Sequence, residues 1–253
     1  MADGRHVGAS AEGRAIARAV VYRFMSCCFA HPDRELLELF DSARLEEFLR
    51  NWRYLGFGTS EEIGRITGWI KEFASHDAAL RELQKEYTRL FVNACPRVVA
   101  PPYSSVYLGG QRRVWGSSTA EVARLYESAG LSMAKDFHDI PDHIAAELEF
   151  ASYLIVQQCK RADNGTDGAD LADIENRFIT KHLLRWAPAF LALVIECSRT
   201  TFYQVMASLA RQFVEQEAKR FSEPRHGTSN SGNTQKLGIP PPSEEQHANH
   251  SYD

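Results

Sequence analysis

The sequence predicts an all-α fold: one globular helical domain over residues 13–221, a flexible N-terminus over 1–12 and a disordered C-terminal tail over 222–253. Three observations carry this. Apolar residues recur at three- and four-residue spacing in segment after segment. Short β-like runs, such as Cys95 to Ala100, stand isolated with nothing to pair with. Beyond residue 221 the chain turns to Ser, Asn, Gly, Pro and His with almost no large apolar side chains, a composition that cannot build a core. With 253 residues, 44% of them apolar, the remainder is long enough for a sizeable one.

From Arg14 to Phe29 a helical face is set by Ile16, Val20, Val21, Phe24 and Cys28. His31-Pro32-Asp33 breaks it, and Asp33 is placed to cap a short helix bearing Leu36, Leu37 and Phe40. Leu45, Phe48, Leu49 and Trp52 form the next face, and Gly56 and Gly58 a loop. Ile63, Ile66, Trp69, Ile70 and Phe73 give an amphipathic helix. Asp77 opens another, with Leu80, Leu83, Tyr87, Leu90 and Phe91 on one side.

Residues 93–117 differ in kind. Pro96, Pro101 and Pro102 forbid a regular helix, and Gly109-Gly110 permits a tight reversal. So long a Pro-rich loop within one domain is uncommon and often functional. Its Tyr103, Val106, Tyr107, Leu108, Val114 and Trp115 must pack on the core or on a partner. Helices resume with Val122, Leu125 and Tyr126, then with a long helix from near Pro141 to about Arg161. Leu171–Leu184, Pro188–Ser198 and Thr200–Phe221 read as three last helices, with Pro188 at the handover between the first two.

The segment Pro141-Asp142-His143-Ile144-Ala145-Ala146-Glu147-Leu148-Glu149-Phe150 is the richest in chemistry. Proline is tolerated in a first helical turn, and Asp139 or Asp142 can cap the free N–H groups there. Ile144, Leu148 and Ala151 fall on the buried face. The result is a partly negative lip beside an apolar body, suited to a basic, apolar peptide. Asp142 is the candidate charged contact, with Asp139 and Glu149 as neighbours. His143 either donates to a peptide carbonyl or fixes the junction internally.

The net charge of -4 and the lack of a basic patch argue against nucleic acid. Cys27, Cys28, Cys95, Cys159 and Cys197 are odd in number and lack C-x-x-C spacing, which reads as reduced thiols in a cytoplasmic protein. No apolar run approaches the ~18 residues of a membrane span, so no stable membrane insertion is expected. Phosphate-cradling glycine loops and H-E-x-x-H are missing. His143 and Glu147 share a helix face but lack a third ligand, and Cys95 with His143 is a weaker nucleophile pairing than Cys95 as a small apolar residue. No catalytic residue, metal or cofactor of its own is expected.

Three segments in order resemble the TorD/DmsD/NarJ family of redox-enzyme maturation chaperones. They are Glu86-Tyr87-Thr88-Arg89-Leu90-Phe91 with Pro101-Pro102-Tyr103-Ser104-Ser105-Val106-Tyr107; Pro141 to Phe150; and Phe178 to Phe190 with Phe202-Tyr203 beyond. The likeness spans roughly residues 14–221. It departs at Ser104, where the family often carries Glu. The resemblance implies a helical chaperone, not an enzyme. Its partners would be the apo catalytic subunit of a DMSO-reductase-superfamily molybdoenzyme and that subunit's N-terminal twin-arginine leader peptide, held in the cytoplasm until molybdopterin is inserted.

On this reading the client-binding candidates are Pro141, Asp142, His143, Asp139, Glu149, Tyr103, Val106, Tyr107 and Trp69. Tyr87, Leu90, Phe91, His182, Trp186 and Phe190 read as core. Three rivals stand beside it: a nitrate-reductase-type chaperone for a non-exported client, a helical metal- or haem-binding enzyme using His143, Glu147 and a cysteine, and a plain helical scaffold. The sequence leaves the client and the oligomeric state open.

Overall fold

The computed structural model describes residues 10–58, 61–93, 97–109, 114–131 and 140–222. The expectations for residues 1–9 and 223–253, and those for Cys95 and Asp139, lie outside the described residues. The described chain is helical, as the spacing predicts, with a single antiparallel bridge between Tyr103 and His143 and no strand among the described residues.

The helices are α1 (Ala11–Phe29), α2 (Arg34–Leu39), α3 (Ala43–Tyr54), α4 (Glu61–Lys71), α5 (His76–Tyr87), α6 (Ser104–Leu108), α7 (Ser117–Ser128), α8 (Ile144–Asp163), α9 (Ala169–Phe178), α10 (Leu184–Cys197) and α11 (Thr201–Ser222). Starts follow side-chain caps: Ser10, Asp33, Ser42 and Ser75 each accept a backbone N–H of the following turn. Ser75, not Asp77, therefore opens α5. A π turn over Thr88–Val92 extends α5 into the Pro-rich loop.

Helices α1 and α8 run antiparallel. Ser26 Oγ donates to the Ala145 carbonyl at 2.8 Å and Ser152 Oγ to the Ala19 carbonyl at 2.9 Å, so their backbones approach closely. Aromatic side chains fill the space between elements. Phe24 stacks on Phe48 of α3 at 4.1 Å, Trp52 on Phe57 at 3.9 Å, and Phe91 meets Tyr203 of α11 edge-on at 5.3 Å.

One buried ionic network ties α1 to α9 and α11. Arg18 donates through Nε to both oxygens of Glu217, at 2.8 and 2.9 Å, and through Nη2 to Glu175 at 2.5 Å; Tyr22 Oη donates to Glu217 at 2.9 Å. Burial alone would lower the Arg18 pKa, but Glu217 and Glu175 raise it above its ordinary value. Burial, then Glu217, pushes the Tyr22 phenol up.

The structure corrects four local expectations. First, α9 and α10 form one continuous helix instead of separating at Pro188. Pro188 deprives the Leu184 carbonyl of its donor and crowds it. A π turn over Ile179–Leu183 loosens the helix directly upstream, and the chain continues through. Second, this run, Ala169–Cys197, is long and apolar enough to cross a membrane by length and composition, contrary to the sequence reading. Its Phe178, Ile179, Leu183, Trp186, Phe190 and Val194 are nevertheless all buried against the other helices. Third, the Pro-rich loop contains the one-turn α6. Fourth, α8 begins at Ile144, after Pro141 and not with it.

Candidate functional site

The Pro-rich loop meets the start of α8 at a junction made of backbone and buried side chains. The Ser104 N–H donates to the Asp142 carbonyl at 3.0 Å and the Ile144 N–H to the Pro102 carbonyl at 2.8 Å. Asp142 caps α6 rather than α8: its Oδ2 accepts from the Ser105 N–H at 2.7 Å, with Ser104 Oγ at 3.3 Å. The cap of α8 is His143, whose Nδ1 accepts the Ala145 N–H at 3.1 Å. An accepting Nδ1 places the neutral ring's proton on Nε2, 3.4 Å from Tyr87 Oη. Tyr126 Oη donates to the Pro141 carbonyl at 2.8 Å. Helices α5, α6, α7 and α8 thus converge on three consecutive residues, Pro141, Asp142 and His143, all buried.

One turn into α8, Glu147 is fully buried. Its Oε1 faces His182 Nε2 at 2.8 Å and its Oε2 accepts from Trp186 Nε1 at 2.9 Å. Tyr107 of α6 packs on Trp186 and Phe190, with ring centroids 5.5 and 6.4 Å apart. The residues that shape the loop therefore rest on a polar knot linking α8 to the π turn and α10.

Against this junction opens a groove of about 710 Å³, lined by Phe91, Val92, Arg97, Val98, Pro101, Tyr103, Val106 and Val114. Val92 and Val114 are 57% and 43% exposed, and Trp115, next to Val114, is 69% exposed. A second groove, about 340 Å³, runs between α1, α3 and α8. Its apolar floor, with Ile16, Val20 and Val156, is bordered by Arg23, Arg44, Lys160, Glu47 and Asp163.

The structure brings Tyr103 and Val106 together as groove wall, with Pro141, Asp142 and His143 behind it, inside the protein. Tyr107 lies beneath. Trp69 sits on α4 against Phe73 and does not line the groove, and Glu149 is exposed and ion-paired with Arg23. The negative lip expected from Asp142 and Glu149 is thus not assembled among the described residues: one carboxylate is used internally and the other is neutralised elsewhere. His143 and Glu147 point to different partners. No group of three metal-ligating side chains occurs among the described residues. The sequence reading did not pick out Arg97, Val92 or Val98 as groove wall, nor Glu147 as the acceptor for both His182 and Trp186. The four-residue recurrence of His182, Trp186 and Phe190 was the available signal for the latter.

The family model of the nitrate reductase delta subunit matches residues 58–192, which run from the start of α4 into α10 and include the whole junction. The chain belongs to this family, the TorD/NarJ redox-enzyme maturation chaperones. TorD/NarJ relatives include the chaperone protein TorD of Aliivibrio salmonicida, 29% identical over 203 residues, which cover 80% of this chain and 93% of that one. The TorD of Shewanella pealeana is 26% identical over 212 residues, 80% of this chain and 88% of that one. A crystal structure from Archaeoglobus fulgidus, titled as that of a redox enzyme maturation protein, shares the fold: TM-score 0.50 at 23% identity over 78% of this chain and 93% of that one. Within the TorD/NarJ chain described here, the loop–helix junction is the centre of the matched region.

Proposed function

We propose that this chain is a cytoplasmic, client-specific chaperone without catalytic activity. It binds the apo catalytic subunit of a DMSO-reductase-superfamily molybdoenzyme, engages its N-terminal twin-arginine leader, and holds it for molybdopterin insertion before export. The observation that carries this reading is the groove beside Tyr103 and Val106. It is apolar, open, and built on the loop–helix junction that the family match spans. An apolar groove with a rigid, proline-bearing wall binds polypeptide by burying side chains. Asp142 and His143 serve this site from behind by fixing the wall, with Pro141, while Tyr103, Val106 and Val114 touch the client.

The test is co-purification of the chain with the apo catalytic subunit of a DMSO-reductase-superfamily molybdoenzyme from the same cell, with and without the leader. Recovery of a stoichiometric complex, weakened when Val106→Asp places a charge in the groove, is the expected result. No affinity for either form of the subunit refutes the proposal. A nitrate-reductase-type client that is never exported is the second reading, favoured by the name of the matching family model. It predicts full binding to a subunit lacking any leader.

A further inference from the structure

We propose that the groove beside Tyr103 selects a client stretch that is apolar and carries a carboxylate, and that Arg97 reads that carboxylate. The inference rests on taking the groove as the client site. Every described lining side chain but one is uncharged: Phe91, Val92, Val98, Pro101, Tyr103, Val106 and Val114 surround Arg97. Arg97 is exposed and makes no ion pair among the described residues, unlike Arg18, Arg23 and Arg89, each of which has a glutamate. The second groove is different, with cations and carboxylates together along its border. A guanidinium that is the single charge among the described lining residues, beside low-dielectric walls, focuses a positive potential into the cleft. Its planar fork matches a carboxylate, through two parallel hydrogen bonds, better than any other side chain. Two arginines of a leader are repelled from the same place, so the segment seated here is one that follows or lies apart from them.

The wall and the residue beside it say how such a segment is held. Pro101 and Pro102 have no N–H, and the Pro102 carbonyl is already used by Ile144, so a strand cannot pair at those two residues. Affinity comes from side chains. Next to Val114 in the chain, Trp115 is 69% exposed on a left-handed backbone, φ 64°, where folding does not use it. Strain held at an exposed large aromatic marks a surface kept for contact.

The experiment uses the full chain and three fluorescein-labelled octapeptides of Val, Leu and Phe that differ only in a central Glu, Gln or Arg. Binding is read by anisotropy at low salt. Wild type is expected to prefer Glu over Gln by about twofold to fivefold, the range of one exposed charge pair, and Gln over Arg similarly. Arg97→Gln flattens the series and Arg97→Glu reverses it. Equal affinities in wild type, or an unchanged order in Arg97→Glu, overturn the inference. If the apo subunit co-purifies while the series is flat, the charge reading alone has failed. If neither the subunit nor any peptide binds, the groove is not a client site and the inference falls with it.

Discussion

His182 Nε2 lies 2.8 Å from Glu147 Oε1, and neither side chain reaches solvent. Burial alone would lower the His182 pKa, but the Glu147 charge and hydrogen bond, aided by Glu121 and Asp142, raise it above its ordinary 6.5. Burial likewise raises Glu147 above its ordinary 4.5, against the pull of His182 and Trp186. Both shifts have one sign: the folded pair keeps protons that the unfolded chain releases. The stability from His182 is complete below 6.5 and is lost as pH climbs through the higher folded value; that from Glu147 begins to fall above 4.5. The urea midpoint should therefore drop as pH rises above the ordinary histidine value of 6.5. Glu147→Gln should flatten that slope, and Glu147→Ala, which leaves two buried donors unpaired, should cost roughly 3–5 kcal/mol. A wild-type midpoint that is flat over that rise would contradict the pairing.

That pair also shows what a sequence conveys and what it does not. Helical periodicity is local, so α1 to α5 and α8 can be read from spacing, and Asp33 can be named as a cap from its position before Leu36. Glu147 and His182 are 35 residues apart, and nothing local joins them. Asp142 is nearer in sequence to α8 than to α6, yet it caps α6. The fold sets that choice by laying Pro102 against Ile144, which leaves the α8 cap to His143, a residue seldom expected in that role. Pro188 reads as a helix end because its remedy, the upstream π turn, is a backbone adjustment without a residue signature. The groove's position in the Pro-rich loop was legible from Tyr103 and Val106. Its charge was not, because only the fold shows which cation borders it.

Arg18 is held between Glu217 and Glu175, with all three side chains nearly sealed. Arg18→Met should destabilise the chain by about 3–5 kcal/mol, since it strands two carboxylates inside. Arg220, 3.8 Å from Glu175, compensates that carboxylate only at longer range, which puts the loss at the lower end of this span. Adding Glu175→Gln and Glu217→Gln to Arg18→Met should recover part of the loss, as the stranded charges vanish. Urea denaturation of the single and triple variants decides this, and a triple variant weaker than the single one would show that charge is not the cause.

Asp142 and His143 invite a pair of stability measurements that separate architecture from client contact. Asp142→Ala leaves the buried Ser105 N–H without its acceptor, which should cost about 1–3 kcal/mol. His143→Ala removes a helix cap, worth about 0.5–2 kcal/mol, whereas His143→Asn restores a good capping side chain and should recover most of it. Thermal melts of the three variants test the assignment. Equal losses in His143→Ala and His143→Asn would mean that capping is not what His143 contributes.

Trp115 should show stability and binding pulling in opposite directions. Its φ of 64° costs an L-residue roughly 1–2 kcal/mol, a penalty that Asn bears more easily. With 69% of the residue in water, little packing is lost on replacement. Trp115→Asn should therefore raise the urea midpoint by about 1 kcal/mol of stability. The same change removes a large exposed aromatic beside Val114, which lines the groove, so affinity for the apo subunit should fall. Measured together, a gain in stability with a loss of client binding means that the strain is kept for contact. A variant that gains stability and binds the subunit as well as wild type would mean that Trp115 takes no part in recognition.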